Sequence, residues 1–213
     1  MVAVARRIPT QRRSQERLER IARAAGELCA ELGADAVTMD AIAQRAGTSI
    51  GSLYQFFPNR DALLEAVAER YVADLEPLLA GELLDDVAAR PLAELVDAVL
   101  APFERFHSTH PGYFAILFAP PGSAALRRVR GRLRERLVRG AERLFRERAS
   151  RLAPAKRRRL AVTAVEAARA LLQYAETHVA PRGRASMRAE LRAMLVAYLE
   201  PWLGDGVPRP RRR

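Results

Sequence analysis

Apolar residues recur at intervals of three and four along most of the chain, which is the spacing of one face of an α-helix. Alternation of apolar and polar residues, the mark of a half-buried strand, does not run at length anywhere in the sequence. We therefore predict an all-α protein. Two short helices are expected between residues 38 and 58 and a third short helix over 113–118. Longer helices are expected over about 11–32, 60–79, 91–110, 124–151, 155–179 and 185–203.

The two short helices are spaced as in a helix-turn-helix. Ala43 is small where the helices would cross, Gly47 can take the left-handed conformation that ends the first helix, and Leu53 would turn the second helix back. Thr38 and Ser49 precede the two helices as candidate N-caps. A second helix of this size fits a DNA major groove. The remaining inward positions would be Ile42, Ala46 and Ile50.

The outward face of the second short helix favours DNA over an ordinary helical hairpin. Hydroxyl, amide and aromatic groups occupy it, where a plain surface helix would show Glu and Lys. Asn59 would cap the next helix and place Arg60 in its first turn, where a cation opposes the helix dipole. A phosphate partner would explain that cation. The outward residues are Ser52, Gln55 and Phe56, with Tyr54 at the edge.

The stretch from Ala46 to Leu64 closely resembles the TetR family of bacterial transcriptional regulators, whose usual form is A-G-x-S-x-G-x-[LI]-Y-x-[HY]-F-x-[SN]-[KR]-x-x-L. The resemblance extends over residues 10 to 70. It implies a homodimeric, all-helical repressor with a three-helix DNA-binding head and a divergent ligand-sensing body. Positions where family members commonly contact phosphates are occupied here by Thr38, Thr48, Ser49, Ser52, Tyr54 and Arg60.

Two further positions of the resemblance carry contacts to base edges or backbone that vary among members, and they hold Gln55 and Phe56. The family often has His or Tyr where this chain has Phe56. Because a phenyl ring cannot hydrogen-bond, we expect contact with a thymine methyl group or packing there.

The predicted domains are a disordered basic arm at 1–9, a DNA-binding domain at 10–58, an effector-binding and dimerisation domain at 59–203, and a basic tail at 204–213.

The net charge of +11 is unevenly distributed along the chain. Residues 121–213 hold 24 Lys and Arg against 8 acids, whereas residues 1–75 hold 10 of each sign. A local basic cluster at the front is suited to phosphate contact. It comprises Arg6, Arg7, Arg12, Arg13, Arg17, Arg20 and Arg23.

The body of the chain offers candidates for an effector pocket and for a dimer interface. Aromatic and apolar side chains with a few polar groups suit a largely apolar ligand, although they suit an ordinary core equally well. The pocket candidates are Phe103, Phe106, His107, Tyr113, Phe114, Leu117, Gln173, Tyr174 and His178. Broad alanine-rich faces on the last two helices suit pairing with a second subunit or burial in the chain's own core, and the interface candidates are Val165, Ala168, Leu172, Leu191, Leu195 and Tyr198.

Other chemistries have little support in the sequence. The chain has three scattered histidines, no glycine-rich phosphate loop and no G-x-S-x-G, so we expect neither an enzyme, nor a metal site, nor a cofactor. Cys29 lies on an apolar helical stripe, which indicates core packing. No apolar run is long enough for a bilayer and no secretory signal is visible, so we expect a cytoplasmic protein. The arginines of residues 124–151 form either a solvated face or a site for an anionic effector.

These expectations combine into one function. The chain would be a DNA-binding transcriptional regulator, a repressor that binds a palindromic operator as a homodimer and is released by a small, largely apolar effector. A constitutive regulator without a ligand, an architectural DNA-binding protein and a helical enzyme are the alternatives.

Overall fold

The computed structural model of the protein describes residues 8–79, 90–118 and 123–204. These ranges contain helices and no strand, which confirms the predicted all-α fold. The helices are α1 (Ile8–Leu32), α2 (Met39–Arg45), α3 (Ile50–Phe56), α4 (Arg60–Leu79), α5 (Leu92–Thr109), α6 (Tyr113–Phe118), α7 (Ala124–Arg148), α8 (Pro154–His178) and α9 (Pro181–Leu203).

The helix boundaries depart from the sequence prediction at the end of α7, which stops at Arg148 and not at residue 151, and at two prolines. Helix α9 begins at Pro181, four residues before the expected start, because proline at the first helical position lacks only an N–H that would have no helical partner. The turn between α8 and α9 is therefore confined to Val179 and Ala180. Pro9 likewise lies in the first turn of α1, so residues 8 and 9 of the predicted arm are helical. Residues 1–7 of that arm and residues 205–213 of the predicted tail lie outside the described residues.

The described chain divides into two compact units. The first unit comprises residues 8–73, 107–118 and 123–130, and the second comprises 74–79, 90–106 and 131–204. Helices α4, α5 and α7 each run from one unit into the other. The division by function into residues 10–58 and 59–203 is a separate matter and stays a prediction.

The first unit is built around α1, which contacts both α2 and α6. Two glycines allow the approach of α1 to the start of α6: Gly112 has φ +74° and faces the backbone of Gly26. Tyr71 of α4 donates a hydrogen bond to the carbonyl of Pro111 (2.7 Å) beside them. Cys29 is buried in this core, and burial raises the pKa of its thiol to about 12, which supports its predicted packing role.

The second unit has its own apolar core, formed by α5, α7, α8 and α9. Leu160, Leu191 and Leu203 are fully or almost fully buried in it. The guanidinium of Arg148 is also buried and donates to the carbonyls of Arg90 and Leu203, the second of which belongs to the last turn of α9. A cation at a helix C-terminus is stabilised by the helix dipole, so Arg148 fixes the end of α9.

Candidate nucleic-acid interface

Helices α2 and α3 form the predicted helix-turn-helix, and local side chains define its ends. The Thr38 hydroxyl accepts a hydrogen bond from the N–H of Ala41 (3.2 Å), and the Ser49 hydroxyl accepts one from the N–H of Ser52 (3.2 Å). Gly47 has φ +61°, as expected for the residue that ends α2. Both N-cap predictions and the glycine prediction are confirmed.

The inward face of the helix-turn-helix is buried as predicted at all but one position. Ile42 and Leu53 are completely buried, and Ala43 and Ala46 are nearly so. Ile50, which was predicted to face inward, is 36% exposed. That prediction was wrong because Ile50 is the first residue of α3, at its open end, and Leu53 one turn later fills the space against α2.

The predicted DNA-contact residues differ in exposure. Thr38, Ser49 and Gln55 are exposed, and Tyr54 is 52% exposed. Thr48, Ser52, Phe56 and Arg60 are half-buried. The structure therefore brings α3 and the N-terminus of α2 to the surface with hydroxyl and amide groups available, whereas the role of the half-buried residues depends on what holds them.

Arg17 of α1 holds one of these residues. Its guanidinium donates a hydrogen bond to the Ser52 hydroxyl (3.1 Å), which joins α1 to α3. Arg17 was predicted only as a member of the basic cluster, since nothing in the sequence joins two residues 35 positions apart. Arg20 and Arg23 of the same cluster are exposed on α1. Arg6 and Arg7 lie outside the described residues, and nothing is described of the side chains of Arg12 and Arg13.

Arg60 has partners within its own chain. Its guanidinium donates to the carbonyl of Asp35 (2.9 Å) and lies 3.4 Å from the carboxylate of Asp61. These bonds account for a cation in the first turn of α4 without a phosphate, and they tie α4 to the loop before α2. The Asn59 side chain accepts a hydrogen bond from the N–H of Ala62 (2.9 Å), which confirms the predicted cap of α4. A phosphate contact by Arg60 stays a prediction.

A second arginine of the helix-turn-helix is neutralised within the chain. Arg45 forms a two-point ion pair with Glu31 of α1, both N–O distances being 2.8 Å, and lies 3.6 Å from Glu27. The hydrogen bond from Arg45 lowers the pKa of the Glu31 carboxyl. Arg45 therefore fixes α2 on α1.

Phe56 lies at the end of α3 against apolar neighbours. Its ring centroid is 6.5 Å from that of Phe57, and both rings line a groove of about 570 Å³. Leu18 and Ala22 of α1 line the same groove. This placement favours packing, one of the two roles expected for Phe56.

The predicted pocket residues are divided between the two units. In the first unit the His107 ring lies 4.8 Å from Tyr113 and 4.4 Å from Phe114, measured between centroids, and Leu117 is completely buried. Burial, with a smaller effect of the charge on His110, lowers the pKa of His107 from 6.5 to about 4. The imidazole is therefore a neutral hydrogen-bonding group among aromatic rings.

The other pocket candidates belong to the second unit. Phe106 is buried and Phe103 is half-buried on α5. On α8, Tyr174 is 49% exposed and stacks on His178 at 4.8 Å, with Gln173 half-buried beside them. The structure thus assembles an aromatic cluster in the first unit and a stacked pair in the second unit from the predicted set.

The predicted interface residues also fall into two groups. Leu191 and Leu195 are 1% and 6% exposed and belong to the core of the second unit, so packing within the chain accounts for them. Tyr198 is 37% exposed on α9. The half-buried residues on α8 are Val165, Ala168 and Leu172.

Two general features limit other kinds of site. Within the described ranges, no group of three or more His, Cys, Asp or Glu is placed to hold a metal ion. None of the helices in the described part of the chain is both long and apolar enough to cross a membrane.

A capped helix-turn-helix with a polar, exposed second helix is the DNA-reading element of transcription regulators. The family profile "Bacterial regulatory proteins, tetR family" matches residues 21–67, and the profile "Tetracyclin repressor-like, C-terminal domain" matches residues 91–199. The chain belongs to the TetR family and is a DNA-binding transcription regulator.

Solved structures of similar fold include a TetR-family regulator and a second transcriptional regulator. A TetR-family transcriptional regulator from Streptomyces coelicolor is 29% identical, with 88% of this chain and 99% of that chain covered and a TM-score of 0.60. The SmeT–triclosan complex is 21% identical over 92% and 99% of the two chains, with a TM-score of 0.62. FadR from Bacillus subtilis in complex with stearoyl-CoA is 14% identical over 89% and 99%, with a TM-score of 0.61. No curated protein matches the chain significantly.

Proposed function

We propose that the protein is a homodimeric repressor that binds a palindromic operator and is released by a small, largely apolar effector. The observation that carries the proposal is the exposed polar face of α3, with Tyr54 and Gln55 outward and Ser49 at the helix N-terminus. Hydroxyl groups and backbone N–H groups at a helix N-terminus bind phosphate, and an outward amide can read an adenine edge.

The dimer is supported by the surface of the last two helices. Met194, Tyr198 and Trp202 are each between 37% and 39% exposed on α9, and large apolar side chains at four-residue spacing form one helical stripe. A twofold axis would place two copies of α3 one helical turn of DNA apart, about 34–36 Å. With Leu191 and Leu195 used by the chain's own core, we propose that this stripe contributes to the interface instead.

We propose that the effector binds among the aromatic side chains around His107. Neutral imidazole and the Tyr113 hydroxyl would supply polar groups in an apolar setting. SmeT has been solved with triclosan and FadR with stearoyl-CoA, and triclosan and the stearoyl chain are both apolar. The proposal includes no catalytic step. It places the protein in the cytoplasm, where a bacterial regulator meets the chromosome.

Footprinting on the promoter region nearest the gene, with sedimentation of the free protein, tests operator binding and dimer formation. We expect a protected palindrome and a dimer at micromolar concentration. Tyr54→Phe should weaken operator binding about fivefold, since one hydrogen bond contributes about 1 kcal/mol. Tyr174→Phe removes a similarly exposed hydroxyl from α8 and should leave the affinity unchanged. Absence of any protected palindrome would refute the proposal.

Gln55→Ala tests the reading of bases, and Arg60→Ala tests the phosphate contact. Gln55→Ala should alter sequence preference more than overall affinity. Arg60→Ala should reduce the salt dependence by about one contact if Arg60 binds phosphate in the complex. An unchanged slope with a lower melting temperature would assign Arg60 to its bonds with Asp35 and Asp61 alone.

Effector release is tested by thermal shift with triclosan and palmitate as probes, followed by operator titration. A ligand at 100 times its dissociation constant stabilises the protein by about 2.7 kcal/mol. A coupling of about 1–3 kcal/mol would lower operator affinity about 5–150-fold. If probes of this class neither stabilise the protein nor weaken operator binding, the effector part of the proposal fails and a constitutive regulator remains.

A further inference from the structure

Five arginines lie on one face of α7, and we refer to them as the arginine stripe. Their spacing alternates between four and three residues, which keeps them on one side of a helix. At 1.5 Å per residue the stripe is about 21 Å long. All five side chains are exposed. The stripe consists of Arg132, Arg136, Arg139, Arg143 and Arg146.

The stripe forms one wall of a groove in the second unit. The groove has a volume of about 760 Å³, and Glu76 of α4 and Arg157 of α8 also line it. Glu142 of α7 is the remaining lining residue, so six arginines and two glutamates face the groove, a formal net charge of +4. Arg157 is positioned by a hydrogen bond to the carbonyl of Leu152 (3.2 Å).

Carboxylates lie close to two arginines of the stripe. Arg136 is paired with Glu76 at 2.5 Å, and Arg139 lies 3.4 Å from Glu135. Arg158, which does not line the groove, binds both Glu135 (2.8 Å) and Glu142 (2.9 Å). Hydrogen bonding from Arg158 lowers the pKa of Glu135 and keeps it ionised in that pair. Glu135 and Glu142 of α7 are thus shared with a cation outside the groove.

Helix stability does not explain the stripe. Like charges three and four residues apart destabilise a helix, and the stripe contains four such neighbouring pairs in succession. Solubility requires charge on the surface and does not require it in one line. Planar guanidinium groups arranged along a groove are suited to phosphate, which they bind through two parallel hydrogen bonds.

We propose that this groove binds an organic polyphosphate, an anion that carries at least three negative charges on linked phosphate groups. Its volume lies in the range of small-molecule sites, about 300–1,000 Å³, which favours a compact anion over a DNA duplex. The groove shares no lining residue with the apolar effector region or with α3. The regulator would therefore have a second, anionic ligand.

Calorimetric titration of the full-length protein with inorganic tripolyphosphate tests the proposal, at 50 mM and 150 mM salt. The double variant Arg139→Glu/Arg143→Glu should bind tripolyphosphate at least tenfold more weakly than the unaltered protein. The control variant Arg151→Glu/Arg159→Glu makes the same change in net charge at exposed arginines outside the groove, and its loss should stay below threefold. Arg139→Gln/Arg143→Gln removes the cations without adding acids and should lie between them.

Three results would overturn the proposal. The first is equal loss in the groove and control variants, which would show only diffuse attraction. The second is no binding of tripolyphosphate at millimolar concentration in 50 mM salt. The third is a groove variant that weakens binding of a non-operator DNA duplex or an acidic protein and leaves binding of tripolyphosphate unchanged. Circular dichroism verifies that each variant is folded. Operator binding, which depends on α3, verifies that the DNA-binding helices of each variant are intact.

Discussion

Lowering the pH should destabilise the protein through His107. In the folded chain its pKa is about 4, against an ordinary value of 6.5, because the ring packs against Tyr113 and Phe114 and is largely removed from water. Between these two values the unfolded chain binds a proton that the folded chain does not bind. The free energy of unfolding therefore falls as pH falls from 6.5 towards 4, and the contribution of His107 is intact above that range.

The size of the effect follows from the two pKa values. Linkage between an unfolded pKa of 6.5 and a folded pKa of about 4 gives a loss of about 2 kcal/mol from pH 7.5 to pH 5. The full difference of about 3 kcal/mol is reached below pH 4, where the carboxyl groups of the protein also titrate. The comparison between pH 7.5 and pH 5 is therefore the cleaner one.

Urea unfolding followed by circular dichroism measures this change. At one fixed protein concentration, His107→Phe should lose about 2 kcal/mol less than the unaltered protein between pH 7.5 and pH 5. His178→Phe replaces an exposed imidazole and should lose as much as the unaltered protein. If His107→Phe shows the same pH dependence as the unaltered protein, His107 is charged as easily in the folded chain as in the unfolded one and the reasoning is wrong.

Three further substitutions probe the contacts that hold the fold and the reading helix. Gly112→Ala should lower the free energy of unfolding in urea by more than about 3 kcal/mol, because the added Cβ meets the backbone of α1. The control is Gly33→Ala, where φ is also positive but the added Cβ meets open space, and it should cost only about 1–2 kcal/mol in the same assay. Arg148→Met should cost about 3 kcal/mol in thermal unfolding, because the buried carbonyl of Leu203 and the partly buried carbonyl of Arg90 both lose the guanidinium donor. The exposed control Arg151→Met should stay within about 0.5 kcal/mol. Arg17→Met should weaken operator binding about fivefold with little change in melting temperature, and unchanged affinity would show that its bond to α3 has no part in DNA binding.

Sequence reasoning succeeded where the cause of a structure lies within a few residues. The caps by Thr38, Ser49 and Asn59 each act on an N–H three residues later, and the left-handed Gly47 depends on its own lack of a side chain. Helical spacing likewise located α6 at both of its ends. Such features are local, so a single sequence contains them.

Sequence reasoning failed where the cause is a contact between distant segments. The bond from Arg17 to Ser52 and the bond from Arg60 to Asp35 join residues 35 and 25 positions apart. Neither spacing has a sequence signature. The bond from Arg60 to Asp35 explains the cation at the start of α4 without a DNA phosphate. The exposure of Ile50 likewise depends on its place as the first residue of α3 and on how α3 packs against α2.

The discontinuous first unit has a consequence for how such regulators are recombined. Its core includes α6, whose approach to α1 depends on Gly26 and Gly112, although residues 74–106 intervene in sequence. A DNA-reading module cut out at residue 58 and fused to another body would leave α6 behind and open one side of α1 to water. The smallest transplantable module is therefore not a single stretch of sequence, and hybrid regulators built from this protein need α6 and the start of α7 from the same parent as the head.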